Sequence, residues 1–246
     1  MYRQSGRRRR EPGSRGRFVT LPRRSTCPHP PPSRVRPSPA ARERRRDVTG
    51  GTTLNRAVDV VGAAVGLAVA SPVLAAAALA IKLEDGGAVF YRQRRVGQHG
   101  RDFDLLKLRT MVVGAETQGA GFAVNEGDPR ITRVGRMLRK LSLDELPQLV
   151  NVMRGEMSLV GPRPTLRYQV ERYSEHQRRR LDVKPGITGW AQVHGRAALP
   201  WDERIELDVW YVENRSGWLD LKILARTPFA LFSGTYKGDT GGWRRT

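Results

Sequence analysis

The sequence predicts an α+β chain, mostly helical: an N-terminal re-entrant membrane helix broken at a proline, a small β-hairpin, and a helical domain with interfacial helices. Three observations carry this. Ala57 to Ile81 is an apolar run of 25 residues whose one charge is Asp59. Residues 88–111 hold two extended patches, AVFYRQ and FDLLKLRTM, on either side of a turn region with Gly97 and Gly100. Residues 165–182 and 201–215 resume helical spacing. The divisions that follow are a tail at 1–50, a membrane-inserted helix at 51–83, a domain at 84–240 and a short tail at 241–246.

The first 50 residues carry 15 arginines against Glu11, Glu43 and Asp47, and so hold twelve of the twenty net positive charges of the 246-residue chain. Half of the 16 prolines lie there too. Such a composition buries too little apolar area to offset chain entropy, so the segment reads as disordered. A nucleic-acid tail, a tether to anionic lipid and an extension without a role all fit it. No apolar stretch within it is long enough for a secretory signal. Cys27 is the one cysteine, which excludes a disulfide framework and a cysteine-based metal site and fits a reducing, cytoplasm-facing environment.

The apolar run would extend about 37 Å as a straight helix, enough for a hydrocarbon core of about 30 Å. Pro72 interrupts it, removing a backbone hydrogen bond and clashing with the preceding turn. Arg42, Arg44, Arg45, Arg46 and Arg56 precede the run, and Lys82, Arg92, Arg94 and Arg95 follow it. The positive-inside rule then puts both ends in the cytoplasm. A helix that enters one leaflet, turns at Ser71-Pro72 and returns meets both observations, with the Ser71 hydroxyl at hand for a freed carbonyl. A kinked spanning helix and the core helix of a soluble protein are the alternatives.

Beyond it, Lys107 and Arg109 share a face if the second hairpin strand is regular. Residues 112–127 read as helix passing into a glycine-containing loop. Residues 165–182 read as a charged, solvated helical face, and 184–196 as basic and turn-rich. The segment from Trp218 to Tyr236 fits a membrane-interface helix or a core helix equally. His99, His176 and His194 stand alone and read as solvated or structural.

The densest motif is SLDELPQ, residues 142–148. Ser142-x-x-Glu145 has the form of a capping box, and acids in a first helical turn complement the helix dipole. Arg136, Arg139 and Lys140 nearby would favour ionised carboxylates. Neighbouring residues on a helix point about 100° apart, so Asp144 and Glu145 suit separate roles, one as nucleophile and the other as ligand of Mg²⁺. Arg163, between Pro162 and Pro164 after Gly161, sits on a stiff loop with the fork that phosphate oxygens prefer. Together these suggest phosphoryl transfer.

KLRTM (107–111), GDPRITRVGRMLRKLSLDELPQLVNVMRGEMSLVGPRP (127–164) and KPGITGWAQVHGR (184–196) resemble the bacterial sugar transferase family, the monotopic phosphoglycosyl transferases. With Arg56-x-x-Asp59, the Ser71-Pro72 break and residues 86–100, the resemblance spans about residues 52–240. It implies a catalytic domain at the cytoplasmic face of the cell membrane that moves a phospho-sugar from a UDP-sugar to polyprenol (undecaprenyl) phosphate. UMP is released, and the step opens exopolysaccharide or glycoconjugate synthesis. On that resemblance Asp144 matches the nucleophile and Glu145 the acid that holds Mg²⁺. Lys107, Arg109, Arg139 and Arg163 match basic positions around the phosphates, and Asp128, Arg130 and Asp208 are further substrate-site candidates. Membrane lipid is an implied partner, a homodimer is compatible, and nucleic acid is not expected.

Two positions depart from the family pattern: Asn55-Arg56 stands where Lys-Arg is common, and Leu108-Arg109-Thr110-Met111 where Phe-Arg-Ser-Met is. Neither touches Asp144 or Glu145. Larger members carry an N-terminal bundle of membrane helices, so this chain resembles the short form. A membrane-tethered adaptor and a degenerate, inactive transferase are the competing functions; the complete SLDELPQ argues against the second.

Overall fold

The computed structural model describes residues 52–115, 127–195 and 199–232. The expectations for residues 1–50, for most of the 112–127 segment and for the end of the chain lie outside the described residues. Val112 to Ala115 form a turn, with Ala115 N donating to Val112 O, where a helix was expected to begin.

Helix α1 runs from Thr52 to Asp85 and continues through Pro72. The carbonyl that a proline leaves without a donor lies four residues earlier, and the Ser71 hydroxyl donates to that Ala68 carbonyl at 2.8 Å. The segment Asn55–Asp85 is long and apolar enough to cross a membrane, and only 17% of its most apolar window is buried, unlike a core helix. Both of its ends bind the same body. The Arg56 guanidinium donates to Val152 O and Met153 O, and the Glu84 carboxylate accepts from Arg133 N at 2.7 Å. The one charge in the apolar run, Asp59, is buried and accepts from Ser158 Oγ and Leu159 N, each at 2.9 Å. Gly66 lets Leu149 close in, since a Cβ there would lie 3.2 Å from a Leu149 methyl.

Strands β1 (Phe90–Val96) and β2 (Asp102–Leu108) form the antiparallel hairpin, with Phe90 opposite Leu108 and Val96 opposite Asp102. A 3-10 turn at Gln98–Gly100 closes it, with His99 and Gly100 both at positive φ. Strand alternation puts Phe103 and Leu105 into the core with Ala63, Val152 and Met157, and Lys107 shares their face.

Helix α2 (Arg133–Lys140) is capped by Thr132, whose side chain accepts from Gly135 N. Helix α3 (Gln148–Arg154) follows the SLDELPQ turn. A second, parallel sheet that the sequence reading lacked joins β3 (Ser158–Val160) to β4 (Gly186–Thr188). Its consequence is local. Gly161 N donates to Thr188 O and Gly186 N to Pro162 O, both at 2.9 Å, stapling GPRP to KPGIT. A Cβ on Gly161 would come within 2.4 Å of Lys184 O and one on Gly186 within 2.1 Å of Gly161 N, so only glycine fits either position. On the other flank Val96 N donates to Thr165 O at 2.9 Å. The loop that carries Arg163 is thereby held from both sides.

The continuous charged helix expected over 165–182 is instead two short ones, α4 (Arg167–Glu171) and α5 (Glu175–Arg178), with a 3-10 turn at Arg179–Leu181. A new start at Ser174, with a capping box to Gln177, breaks it. Arg180 in that turn is 4% exposed, so this stretch is not simply a solvated face. Short α6 (Trp190–Val193) leads to α7 (Trp201–Glu213), which matches the expected 201–215 helix. Helix α8 (Gly217–Phe232) buries Leu219 and Ile223 against Tyr211 and Val212 while Trp218 and Phe229 stay exposed. It therefore shows both a core face and an apolar outer face.

Candidate active site

Ser142 sits in the left-handed region at φ +54 with no side-chain cap, so the expected capping box is absent. The spacing was right for a cap, but a capping serine takes extended backbone angles, which Ser142 does not. Leu143–Glu145 form a 3-10 turn, and Pro147 leads into α3. This bend drives Asp144 inward, to 3% exposure.

The two carboxylates meet opposite fates. Glu145 is gripped by two cations: Lys107 Nζ donates to its Oε1 at 3.3 Å, and Arg163 donates to Oε1 at 2.5 Å and to Oε2 at 3.2 Å. Burial would raise its pKa, but the Arg163 and Lys107 charges outweigh that and hold the carboxyl well below the usual range. Asp144 has no such clasp, and its buried Oδ1 has no hydrogen-bond partner. Burial, reinforced by the adjacent Glu145 charge, pushes Asp144 up to about 6 against the pull of Lys107, Arg139 and Arg163. The expectation that its cationic neighbours would simply favour the ionised form is corrected by these two effects. An aspartate raised in this way is more basic than an ordinary one.

Lys107 and Arg163 thus converge on Glu145, and Arg139 lies near enough for its charge to act on Asp144 while its Nε donates to Thr110 Oγ1 at 2.7 Å. Arg109 goes elsewhere. Strand β2 ends at Leu108, and the Arg109 guanidinium binds Asp85 and the Ala88 carbonyl. Asp128 and Arg130 form a buried pair with each other, and Arg130 also donates to Ala115 O at 2.8 Å. Asp208 is buried under Arg180, and burial pushes it up to about 6.

Arg180 was missing from the sequence reading. Its guanidinium binds Asp208, donates to Tyr173 Oη at 2.6 Å and to the Arg163 carbonyl at 3.0 Å, and so ties α7 to the Arg163 loop. Within the run Arg178-Arg179-Arg180 nothing marks the buried member. Asn151 was also missed, although a polar residue inside LVNVM was a signal. It is fully buried, accepts from Leu106 N and donates to Asp104 O, fixing β2 against α3.

Among the described residues no cluster of three or more His, Cys, Asp or Glu is placed to hold a metal. The oxygen donors at the site are the adjacent carboxylates of Asp144 and Glu145, one oxygen of which is orphaned. One or two carboxylates completed by substrate phosphates and water is the donor set Mg²⁺ commonly takes. The residues present fit it on that basis.

Comparison with known proteins matches residues 51–234 to the model of the bacterial sugar transferase family. The chain is 47% identical over 174 residues to the uncharacterized sugar transferase EpsL of Bacillus subtilis, covering 71% of this chain and 85% of that protein. It is 46% identical over 180 residues to the UDP-glucose:undecaprenyl-phosphate glucose-1-phosphate transferase of Caulobacter vibrioides, covering 70% and 67% respectively. With the UDP-N-acetylgalactosamine-undecaprenyl-phosphate N-acetylgalactosaminephosphotransferase of Aeromonas hydrophila it shares 44% over 187 residues, 74% of this chain but 44% of that protein.

Proposed function

The chain belongs to the bacterial sugar transferase family, and on that premise we propose that it transfers a phospho-sugar from a UDP-sugar to undecaprenyl phosphate through a covalent intermediate on Asp144. It is a sugar-1-phosphate transferase of the kind its relatives are named for. The observation that carries the covalent reading is the buried, unpartnered Asp144 Oδ1 beside a Glu145 already held by two cations.

The steps follow from that pairing. An electron pair of Asp144 Oδ1 forms a bond to the sugar-bearing phosphorus, the bond from that phosphorus to the bridging oxygen breaks, and the pair leaves with UMP. A phosphate oxygen of undecaprenyl phosphate then attacks the same phosphorus and frees the Asp144 carboxylate. Two successive displacements let a soluble donor and a lipid acceptor use one site in turn. Lys107, Arg139 and Arg163 supply positive charge around the transferred group, which is where phosphoryl transfer gains most of its acceleration. Glu145 would hold Mg²⁺, whose contribution is to neutralise phosphate charge. Asp208 acts through Arg180 on the Arg163 loop, while Arg109, Asp128 and Arg130 support the surrounding backbone.

Membrane placement follows the same logic. The Arg56 and Glu84 contacts bind both ends of α1 to one domain, which supports a re-entrant helix with both ends on the cytoplasmic face rather than a span. Leu67 packs against the cluster that holds Leu149, and Leu74 and Leu143 both pack against the cluster of Ala77, Ile81, Leu108 and Leu138, so α1 contributes to the apolar clusters that flank the SLDELPQ turn. On this reading Asp144 works at headgroup depth, where a lipid phosphate lies.

The test is incubation of detergent-solubilised protein with a panel of UDP-sugars, first without acceptor. The expected result is a burst of UMP matching the enzyme concentration and a mass increase of one phospho-sugar on Asp144. Asp144→Asn should show neither. UMP formed only when undecaprenyl phosphate is present would overturn the covalent step.

A further inference from the structure

One polar group of the SLDELPQ turn takes no part in the steps above. Gln148 opens α3 at 2% exposure, and its Nε2 is buried without a hydrogen-bond partner. Asp144 Oδ1, the other unpartnered atom of this turn, lies four residues earlier. Leu143–Glu145 is a 3-10 turn and Leu146 and Pro147 keep right-handed helical backbone up to α3, so Asp144 and Gln148 lie on successive turns of one helical path. A donor and an acceptor, each buried and each unsatisfied, therefore stand one turn apart without bonding to each other. Leaving a polar group in that state costs about 1–3 kcal/mol, and here it happens twice within five residues. Among the described residues, the other orphaned side-chain atoms belong to Gln192, Trp201 and Arg215, far apart in the sequence.

We infer that the Gln148 carboxamide is a further catalytic residue, donating its Nε2–H to a non-bridging oxygen of the phosphoryl group as that group moves onto and off Asp144. This deepens the transferase reading and rests on it. An incoming phosphoryl group satisfies both orphans at once: its phosphorus takes the Asp144 oxygen, and one of its oxygens takes the amide hydrogen. The cations nearby are poorly suited to that second task. Lys107 and Arg163 are bonded to Glu145, and a cation bonded to Asp144 itself would weaken the nucleophile. A neutral amide polarises the phosphoryl oxygens without that penalty. Pro147 fixes the backbone that enters α3, and burial restricts the Gln148 side chain before substrate arrives.

The experiment measures single-turnover UMP release and melting temperature for wild type, Gln148→Met and Gln148→Glu, using the donor that wild type accepts. Methionine keeps the volume and removes the donor; glutamate keeps the shape and, at pH 8, offers only oxygens. The expected result is a rate loss of about 10²–10³-fold in each variant, with little change in KM. Gln148→Met should also melt at or above the wild-type temperature, because it removes an unsatisfied buried group. Wild-type rates in Gln148→Met would overturn the inference. So would a rise in KM at unchanged kcat, or unfolding of both variants, since either makes the amide a binding or structural group. Absence of UMP release from wild type with every donor would instead bring down the transferase reading, and this inference with it.

Discussion

Two buried aspartates in this protein have pKa values raised to about 6 by burial, and they are opposites. Asp208 is closed: Arg180 binds it, and the same guanidinium is spent on Tyr173 and the Arg163 carbonyl. Asp144 is open: three cations lie near, yet its Oδ1 bonds to nothing. A raised pKa therefore does not by itself separate a nucleophile from a structural acid. What differs between the two is unused hydrogen-bonding capacity, present at Asp144 Oδ1. Asp208 is tied through Arg180 to the Arg163 loop, whereas Asp144 Oδ1 keeps an unused acceptor.

Removing each acid's charge gives the sharpest break in that comparison. Asp144→Asn should cut turnover by at least about 10⁴-fold, as removal of a covalent nucleophile does, while the melting temperature holds or rises because a poorly solvated charge is gone. Asp208→Ala should show the reverse emphasis. Stranding Arg180 without its carboxylate should destabilise the fold by about 3–5 kcal/mol, read from denaturant unfolding, with any loss of rate following from a loosened Arg163 loop. If Asp208→Ala were stable and inactive, the two aspartates would have to exchange roles. Arg163→Ala comes next, with an expected kcat loss of about 10²–10³-fold and a smaller change in stability, since Arg163 is the more open of the two cations on Glu145.

Much of this arrangement was legible beforehand. The apolar run, the Ser71 hydroxyl on the freed carbonyl, the hairpin and α7 follow from local rules of period, turn residues and backbone hydrogen bonding. Lys107, Glu145 and Arg163 were singled out and do meet. What was not legible depends on distant partners. Ser142 satisfies the capping pattern yet takes a left-handed turn, because the chain must swing Asp144 into the interior. Arg109 lies two residues from Lys107, but the strand ends between them and Asp85 captures it. Arg180 looks like its two neighbours until Asp208, 28 residues on, is brought beneath it. The β3–β4 pairing is equally silent, since strands of three residues have too little period to read.

A finer comparison sets Asp208 against Asp128, both buried and both paired with arginine. Asp128 accepts from Arg130 Nε, Nη2 and the Arg130 backbone N, and these bonds hold it below its ordinary value despite burial. Asp208 is the more deeply buried, and there burial prevails over Arg180. The two should act on stability with opposite signs. Asp208 keeps a proton in the folded protein between about pH 4 and its raised value of about 6, where the unfolded chain has released it, so its contribution to stability declines as pH rises through that window. Asp128 is ionised in the folded protein where the unfolded chain begins to protonate, so its contribution is present above about pH 4 and is lost as pH falls below it. Melting temperature followed from pH 3 to 8 should lose part of its acid-side slope in Asp128→Asn and, with Asp144 still titrating in the same window, part of its decline between pH 4 and 6 in Asp208→Asn, each a change of a few degrees at about 2–4 °C per kcal/mol. Slopes of the same sign in both variants would mean that the number of donors on the carboxylate does not decide between them, and the contrast between closed and open acids would then rest on Asp144 alone.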